Sequence, residues 1–243
     1  MTDAKPSHAM VLAAGLGKRM RAANSALPKP LIPCAGKPLI DHALDNLADS
    51  GVRSMLVNSH YLADLLTTHV TEYAARHPEL SIQMSPEDVL MDTGGGVAQA
   101  LPYLGKKPFF VQNSDTVLQD GVRALARLSA AWDDIRMDAL LLLCPKARAI
   151  GHTGGGDFRF GADGRPERAH GITDAHIFCG VQMLHPRLFT GAPAGSYSLN
   201  RHYDEAAENG RLFAVEHDSW WYHVGTPEAL AEAERRLRLE IGR

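Results

Sequence analysis

The sequence predicts an α/β fold wound around a mainly parallel central sheet, and two patterns carry that reading. Along the first half, apolar runs short enough to be strands (9–14, 53–58, 80–85 and 107–113) alternate with segments of helical spacing (40–48, 62–75 and 97–104). Strands separated by helices need right-handed crossovers, which leave neighbouring strands parallel. The second pattern is a glycine loop with two cations directly after the first run, where the ligand loops of such sheets gather. The 243 residues suit one large domain better than two small ones.

The opening run, Ala9-Met10-Val11-Leu12-Ala13-Ala14, carries no polar residue and suits a strand buried on both faces. It breaks into Gly15-Leu16-Gly17-Lys18-Arg19, where glycine permits a tight turn and lets a bulky anion approach bare N–H groups. Lys29 follows between Pro28 and Pro30, which restrict the backbone and aim its side chain. Free amides, an arginine and a braced lysine together suit several phosphate groups.

Ile40, Ala43, Leu44 and Leu47 then give helical spacing, stopped by Gly51. After the strand at 80–85, three consecutive glycines (Gly94, Gly95 and Gly96) open a helix over 97–104, at an entropic cost a plain turn does not need. Bare backbone there admits a flat base; a flexible loop-to-helix joint is the structural alternative. The run at 107–113 is apolar enough to be central and ends on Asn113-Ser114-Asp115. A carboxylate at that place either caps the following turn or holds a cation. A helix over 121–132 and a buried strand over 138–144 follow, then a polar amphipathic helix over 198–209. Two late strands, 211–215 and 220–224, are expected to form a hairpin. Thr226 is placed to cap a final helix over 227–239, with Pro227 in its first turn.

Composition sets the outer bounds. Hydrophobic content of 45% and charged content of 22% are those of an ordinary globular protein. A formal net charge of −3 gives no global basic field, so neither nucleic acid nor a membrane surface is an expected partner. Cys34, Cys144 and Cys179 are odd in number and widely spaced, which suits neither a disulfide framework nor zinc and does suit a reducing compartment. No apolar signal region precedes the first strand, and no run reaches the length of a membrane helix. A cytoplasmic protein is the expectation.

Two common phosphate loops fail against these letters. A dinucleotide fingerprint needs glycine where Met20 stands, and a P-loop needs Ser or Thr where Arg19 stands. Leu12-Ala13-Ala14-Gly15-Leu16-Gly17-Lys18-Arg19-Met20, followed by Pro28-Lys29-Pro30-Leu31, instead resembles the paired signature of the sugar-1-phosphate nucleotidyltransferase family. The likeness runs over residues 9–240. It implies a single-domain, Rossmann-like nucleotidyltransferase fold of the GT-A-like kind, with a small antiparallel sugar-binding subregion. Residues 9–145 would form a nucleotide-binding half, 146–225 an acceptor-sugar half and 226–241 a C-terminal helix. The Thr93-Gly94-Gly95-Gly96 wording is most like that of members that act as uridylyltransferases on N-acetylmuramate 1-phosphate.

The resemblance also distributes roles. Leu12, Ala13, Ala14, Gly15, Gly17, Arg19, Thr93, Gly94 and Gly95 would bind the nucleotide, with Arg19, Lys29 and Asp115 as the catalytic set. Asp115 would hold Mg²⁺. Asn113, His152, Asp157 and Gly180 would bind the sugar: Asn113 closes the run at 107–113, His152 and Asp157 lie in Gly151-His152-Thr153-Gly154-Gly155-Gly156-Asp157-Phe158, and Gly180 lies in the stretch Asp174 to Pro186. A hairpin lid with no ligand contact is the other reading of 151–158. The sequence departs from the family at Trp221-Tyr222-His223-Val224-Gly225-Thr226, where relatives carry a second metal-binding aspartate and His223 stands here. Imidazole suits Mn²⁺ or another softer ion better than Mg²⁺. His223 is thus a metal ligand, a phosphate donor, or the mark of a chain that binds nucleotide without turnover. Ala22, Asn24 and Leu27 are smaller departures. The implied reaction joins an NTP, by resemblance UTP, to N-acetylmuramate 1-phosphate with release of pyrophosphate, in cell-wall sugar recycling. A mannose- or heptose-1-phosphate guanylyltransferase shares nearly every motif and is the alternative.

Overall fold

The structure is a computed structural model that describes residues 5–21, 26–169 and 175–241. Ala22, Asn24 and Asp174 lie outside the described residues. The chain runs through β1 (His8–Leu12), α1 (Lys18–Arg21), a 3-10 turn (Lys29–Leu31), the short pair β2 (Pro33–Cys34) and β3 (Lys37–Pro38), α2 (Leu39–Asp49), β4 (Ser54–Ser59), α3 (Ala63–Arg76), β5 (Ser81–Pro86), α4 (Asp92–Leu104) and β6 (Phe109–Asn113). It continues with β7 (Thr116–Leu118), α5 (Gly121–Ala131), β8 (Ala139–Pro145), β9 (Ala149–Ile150), β10 (Phe158–Phe160), β11 (Pro166–Arg168), β12 (His176–Leu184), α6 (Asn200–Glu208), β13 (Leu212–Glu216), β14 (Trp221–His223) and α7 (Pro227–Ile241).

The central sheet has the order β11-β10-β12-β6-β1-β4-β5, with β8 and then β13 attached through β12. Its β6-β1-β4-β5 portion is parallel, as the alternation of strands and helices requires. Strand β12 joins β6 antiparallel and carries the antiparallel ribbon β10–β11. One face of the sheet buries a core with α2, α3 and α5, holding Val11, Val57, Leu44, Leu66 and Leu125. The other buries Met10, Leu56 and Val111 beneath α4 and α6. A third cluster under α7 gathers Met20, Ile32, Val117 and Tyr222. Cys34, Cys144 and Cys179 are all buried free thiols. Among the described residues no helix is long and apolar enough to cross a membrane.

Two expectations are corrected. The late strands do not form a hairpin: β13 adds to β8 in parallel, whereas β14 sits between β7 and β9 in a separate three-stranded sheet. Both runs are apolar enough to be strands, but only long-range packing chooses their partners. The three glycines do not precede a helix either. Helix α4 begins at Asp92 and contains them, all buried. Gly94 and Gly95 donate their amides to Tyr197 O at 2.8 and 3.1 Å, and a side chain on Gly95 would meet Gly195 O at 2.3 Å.

That packing makes Gly95 intolerant of a methyl group. Gly95→Ala is expected to lower unfolding free energy by about 1–3 kcal/mol, whereas Gly155→Ala, with open space around its Cβ, should change it little. Urea denaturation of the two variants checks this, and equal effects would contradict it.

Candidate active site

The carboxyl ends of β1, β4 and β6 open on a hollow of about 520 Å³. Its floor is the turn that leaves β1. Leu12 O accepts Ser114 N–H at 3.1 Å, tying the turn to the end of β6, and Ala13 N–H goes to Asn58 Oδ1 at 2.6 Å. Among the described residues the amides of Gly15 and Gly17 have no protein acceptor and lie along the hollow. Gly17 has φ +58, a conformation few side chains tolerate, and a Cβ there would lie 3.0 Å from Lys29 Cβ. This close approach seats Lys29 against the loop.

Lys29 itself stands on the 3-10 turn that Pro28 initiates, closed by Leu31 N–H to Pro28 O at 2.9 Å. Its ammonium meets Asp115 Oδ2 at 2.5 Å, and the two side chains are 12% and 26% exposed. Burial works to raise the Asp115 pKa, but the Lys29 ammonium, its hydrogen bond and the nearby His223 together hold the carboxyl below its ordinary value. Asp115 is therefore ionised at neutral pH.

His223 is delivered from a different sheet. Strand β14 pairs with β7 so that His223 lies opposite Thr116, and Val224 N–H bonds Asp115 O at 3.2 Å. Burial lowers the His223 pKa; Asp115 opposes this, and Lys29, His152 and Arg19 add to it. The imidazole is thus neutral at pH 7, with a lone pair to offer. Gly225 is pressed between functional groups: a Cβ would lie 2.6 Å from His223 Nε2 and 3.5 Å from Arg19 Nη2.

The residues singled out in the sequence divide into two groups. Leu12, Ala13, Ala14, Gly15, Gly17, Arg19, Lys29, Thr93, Asn113 and Asp115 all line this hollow. Gly94 and Gly95 face the 195–197 segment instead. Gly180, φ +71, marks the irregularity between Phe178 and Gln182 in β12, where a Cβ would lie 2.7 Å from Asn113 Nδ2. It seats Asn113. Asp157 accepts Phe178 N–H at 2.9 Å and so braces β12. His152 lines neither this hollow nor the cavity beside it; its ring lies 6.0 Å from Trp221 and 6.1 Å from His223.

A buried polar network was not foreseen. Asn58 Nδ2 donates to Glu87 Oε1 at 2.7 Å, Met91 N–H to Glu87 Oε2 at 2.9 Å, and His60 Nδ1 bonds Glu87 O at 2.7 Å. The network ties the β1 turn to the loop between β5 and α4, both of which line the hollow. Its signal in the sequence is slight: Asn58 is a polar residue near the end of an otherwise apolar strand, and Glu87 follows the last residue of β5.

A second cavity of about 220 Å³ adjoins the first, sharing Leu12, Asp92, Thr93 and Asn113 with it. Its remaining wall comes from β12 and from the segment leading into α6.

A phosphate-sized loop with free amides, two cations and an ionised carboxylate at a switch in sheet direction defines a protein that handles phosphorylated ligands in a Rossmann-like fold. The chain belongs to the nucleotidyl transferase family, whose model matches residues 8–149. It is 39% identical to an N-acetylmuramate alpha-1-phosphate uridylyltransferase of Caulobacter vibrioides, covering 96% of this chain and 97% of that one. It is 34% identical to the protein of that description from Neisseria meningitidis, covering 93% and 96%. A mannose-1-phosphate guanyltransferase of Aspergillus oryzae is 24% identical over 90% of this chain and 61% of its own length. A putative glucose-1-phosphate thymidylyltransferase of Bacillus anthracis shares the fold, with a TM-score of 0.78 at 16% identity and 95% coverage of both chains.

Removing the hinge of the polar network leaves Ala13 N–H and Glu87 Oε1 without their partner. Asn58→Ala is expected to cost about 1–3 kcal/mol of stability by chemical denaturation. An unchanged midpoint would show that the network is dispensable.

Proposed function

We propose that this chain transfers a uridylyl group from UTP to N-acetylmuramate 1-phosphate, releasing pyrophosphate and forming the UDP-sugar used in cell-wall recycling. The observation that carries the reading is the placement of Arg19, Lys29 and Asp115 around one hollow that opens into a second, uncharged-to-acidic cavity. One compartment suits the triphosphate and the other a sugar. The two relatives of highest identity given above are described as acting on N-acetylmuramate 1-phosphate. The guanyltransferase is more distant. Buried free thiols are compatible with a cytoplasmic setting.

The reaction brings two anions together. A phosphate oxygen of the sugar attacks the α-phosphorus in line with the departing pyrophosphate, and the protein has only to position the groups and offset their charge. Arg19 and the Gly15 and Gly17 amides face the β and γ phosphates as these become the leaving group. Lys29 stands at the junction, offsetting repulsion between the attacking and α phosphates. The Asn58–Glu87 network holds the phosphate loop and the β5–α4 loop at a fixed separation, which places the base relative to the triphosphate. No nucleophilic side chain is needed.

The donor set fits a divalent cation of the Mg²⁺ or Mn²⁺ type. Among the described residues no three His, Cys, Asp or Glu form a cage, and Mg²⁺ binds through one or two carboxylates with substrate phosphates completing its shell. Asp115 supplies a hard, ionised oxygen, with the neutral His223 beside it. Held by Asp115 with His223 beside it, such an ion would supply positive charge to offset that of the phosphates.

Pyrophosphate release from UTP or GTP with N-acetylmuramate 1-phosphate or mannose 1-phosphate tests the assignment. Turnover is expected with the uridine and muramate pair; turnover confined to GTP with mannose 1-phosphate would overturn it. Lys29→Ala and Asp115→Ala should each lower kcat by about 10²–10³-fold, as does loss of other oriented charge contacts, in protein that stays folded at the assay temperature although the unpaired partner lowers its melting temperature. Near-normal rates in either variant would remove that residue from the mechanism. His223→Asp should raise activity with Mg²⁺ relative to Mn²⁺, and an unaltered ratio would exclude His223 as a ligand.

A further inference from the structure

Gln182 is an unexpected member of the second cavity. On β12 it lies in register with Val111 and Leu141, both buried aliphatic residues, and it is itself only 1% exposed. An amide in such a layer is costly unless both ends are paired. One end is: Tyr203 Oη donates to Gln182 Oε1 at 2.6 Å. That bond fixes the direction of the amide. Tyr203 is buried, and among the described residues its hydroxyl proton has no other acceptor, so the oxygen of Gln182 must face it. The Gln182 NH₂ is left on the cavity wall without an acceptor among the described residues.

The same polarity recurs around this wall. Arg168 Nη2 bonds Asn200 Oδ1 at 3.1 Å; a guanidinium can only donate, so the free end of Asn200 is its NH₂. Arg168 is itself held by Asp204 at 2.8 Å and by stacking 4.6 Å over the Phe158 ring. Thr93 Oγ1 accepts Leu199 N–H at 3.0 Å and Ser198 Oγ accepts Asn200 N–H at 3.2 Å, so each hydroxyl keeps a proton to donate. At Gln182, Asn200, Thr93 and Ser198 acceptors are turned into the protein and donors are left for a ligand. Among the described residues no lysine or arginine lines the cavity, and the Asp92 carboxylate does. A charged ligand group finds no cation to pair with on this wall, whereas a neutral acceptor meets the donors directly. Leu12, Phe178 and Leu199 add an apolar surface beside the donors. A carbonyl next to a methyl group matches this wall.

We propose that Gln182, its amide oriented by Tyr203, reads the acyl carbonyl of an N-acylated amino sugar 1-phosphate. Tyr203 and Arg168 are positioning residues, acting through Gln182 and Asn200. The inference rests on the acceptor being a sugar 1-phosphate, as proposed above, and adds which group of the sugar is selected and by what.

The test compares N-acetylmuramate 1-phosphate with its de-N-acetylated counterpart as acceptors, with pyrophosphate release as the readout. In the unaltered protein kcat/KM should favour the acetylated acceptor. Gln182→Met keeps the volume and removes the donor. It should raise KM for the acetylated acceptor by about 10- to 100-fold, leave KM for UTP unchanged, and collapse the preference between the two acceptors. Tyr203→Phe, which frees the amide to rotate, should move KM in the same direction by a smaller factor. Should Gln182→Met not fold, Gln182→Glu removes the same donor in an isosteric side chain and is read in the same way. Retention of the preference in a folded Gln182 variant overturns this inference alone. Absence of turnover with either acceptor in the unaltered protein overturns the proposed function and this inference with it.

Discussion

The contact between Lys29 and Asp115 is the constraint around which the site is arranged. Neither charge sits comfortably alone, since both are largely withdrawn from water, and a partly buried ion left unpaired costs several kcal/mol. The pair joins segments 86 residues apart in the chain. It draws the 3-10 turn bearing Lys29 onto the end of β6 and, through Gly17, fixes the glycine loop beside both. Such a pair is a poor source of net stability, because desolvation offsets its attraction. What it supplies is position.

The rest of the architecture holds the two ends of that contact. Asp115 follows the central β6, anchored on one side through Ser114, whose amide bonds Leu12 O, and on the other by Val224, which follows β14 and bonds its carbonyl. Trp221 Nε1 and Cys179 O both bond Thr116 Oγ1, at 3.2 and 2.9 Å, so the small three-stranded sheet cannot slide against the large one. Lys29 is backed by Pro28, Pro30 and the packing of Leu31. The Asn58–Glu87 network adds a third tie, between the β1 turn and the loop before α4. The cations, the ionised Asp115 and the adjoining cavity therefore meet at one rim, and that cavity offers donors where the larger hollow offers cations.

Much of this was legible in the sequence because its signals are local. An apolar run broken by Gly-x-Gly-Lys-Arg, a lysine between two prolines, and a carboxylate closing a very apolar strand each state their chemistry within a few residues. Those three features fall around one hollow. The less legible parts are those decided by partners distant in the chain. Strands β13 and β14 look alike as letters, and only tertiary packing sends one to β8 and the other to β7. Gly94, Gly95 and Gly96 announce a close approach without saying to what; they pack inside α4, two of them against the 195–197 segment. Asn58 and Glu87 carry no pattern at all, since a single buried amide or carboxylate is recognised only by what it bonds. His152 and Asp157, which the letters leave between sugar ligands and a hairpin lid, lie respectively beside His223 and against the Phe178 amide of β12.

The most direct test of the account is a crystal structure of the protein with a non-hydrolysable UTP analogue and Mn²⁺, located by its anomalous signal. The phosphates should lie along Gly15 to Arg19 with Lys29 beside them, and the manganese peak on the Asp115 carboxylate. Phosphates and metal found in another part of the surface, with the Lys29–Asp115 contact undisturbed, would contradict it.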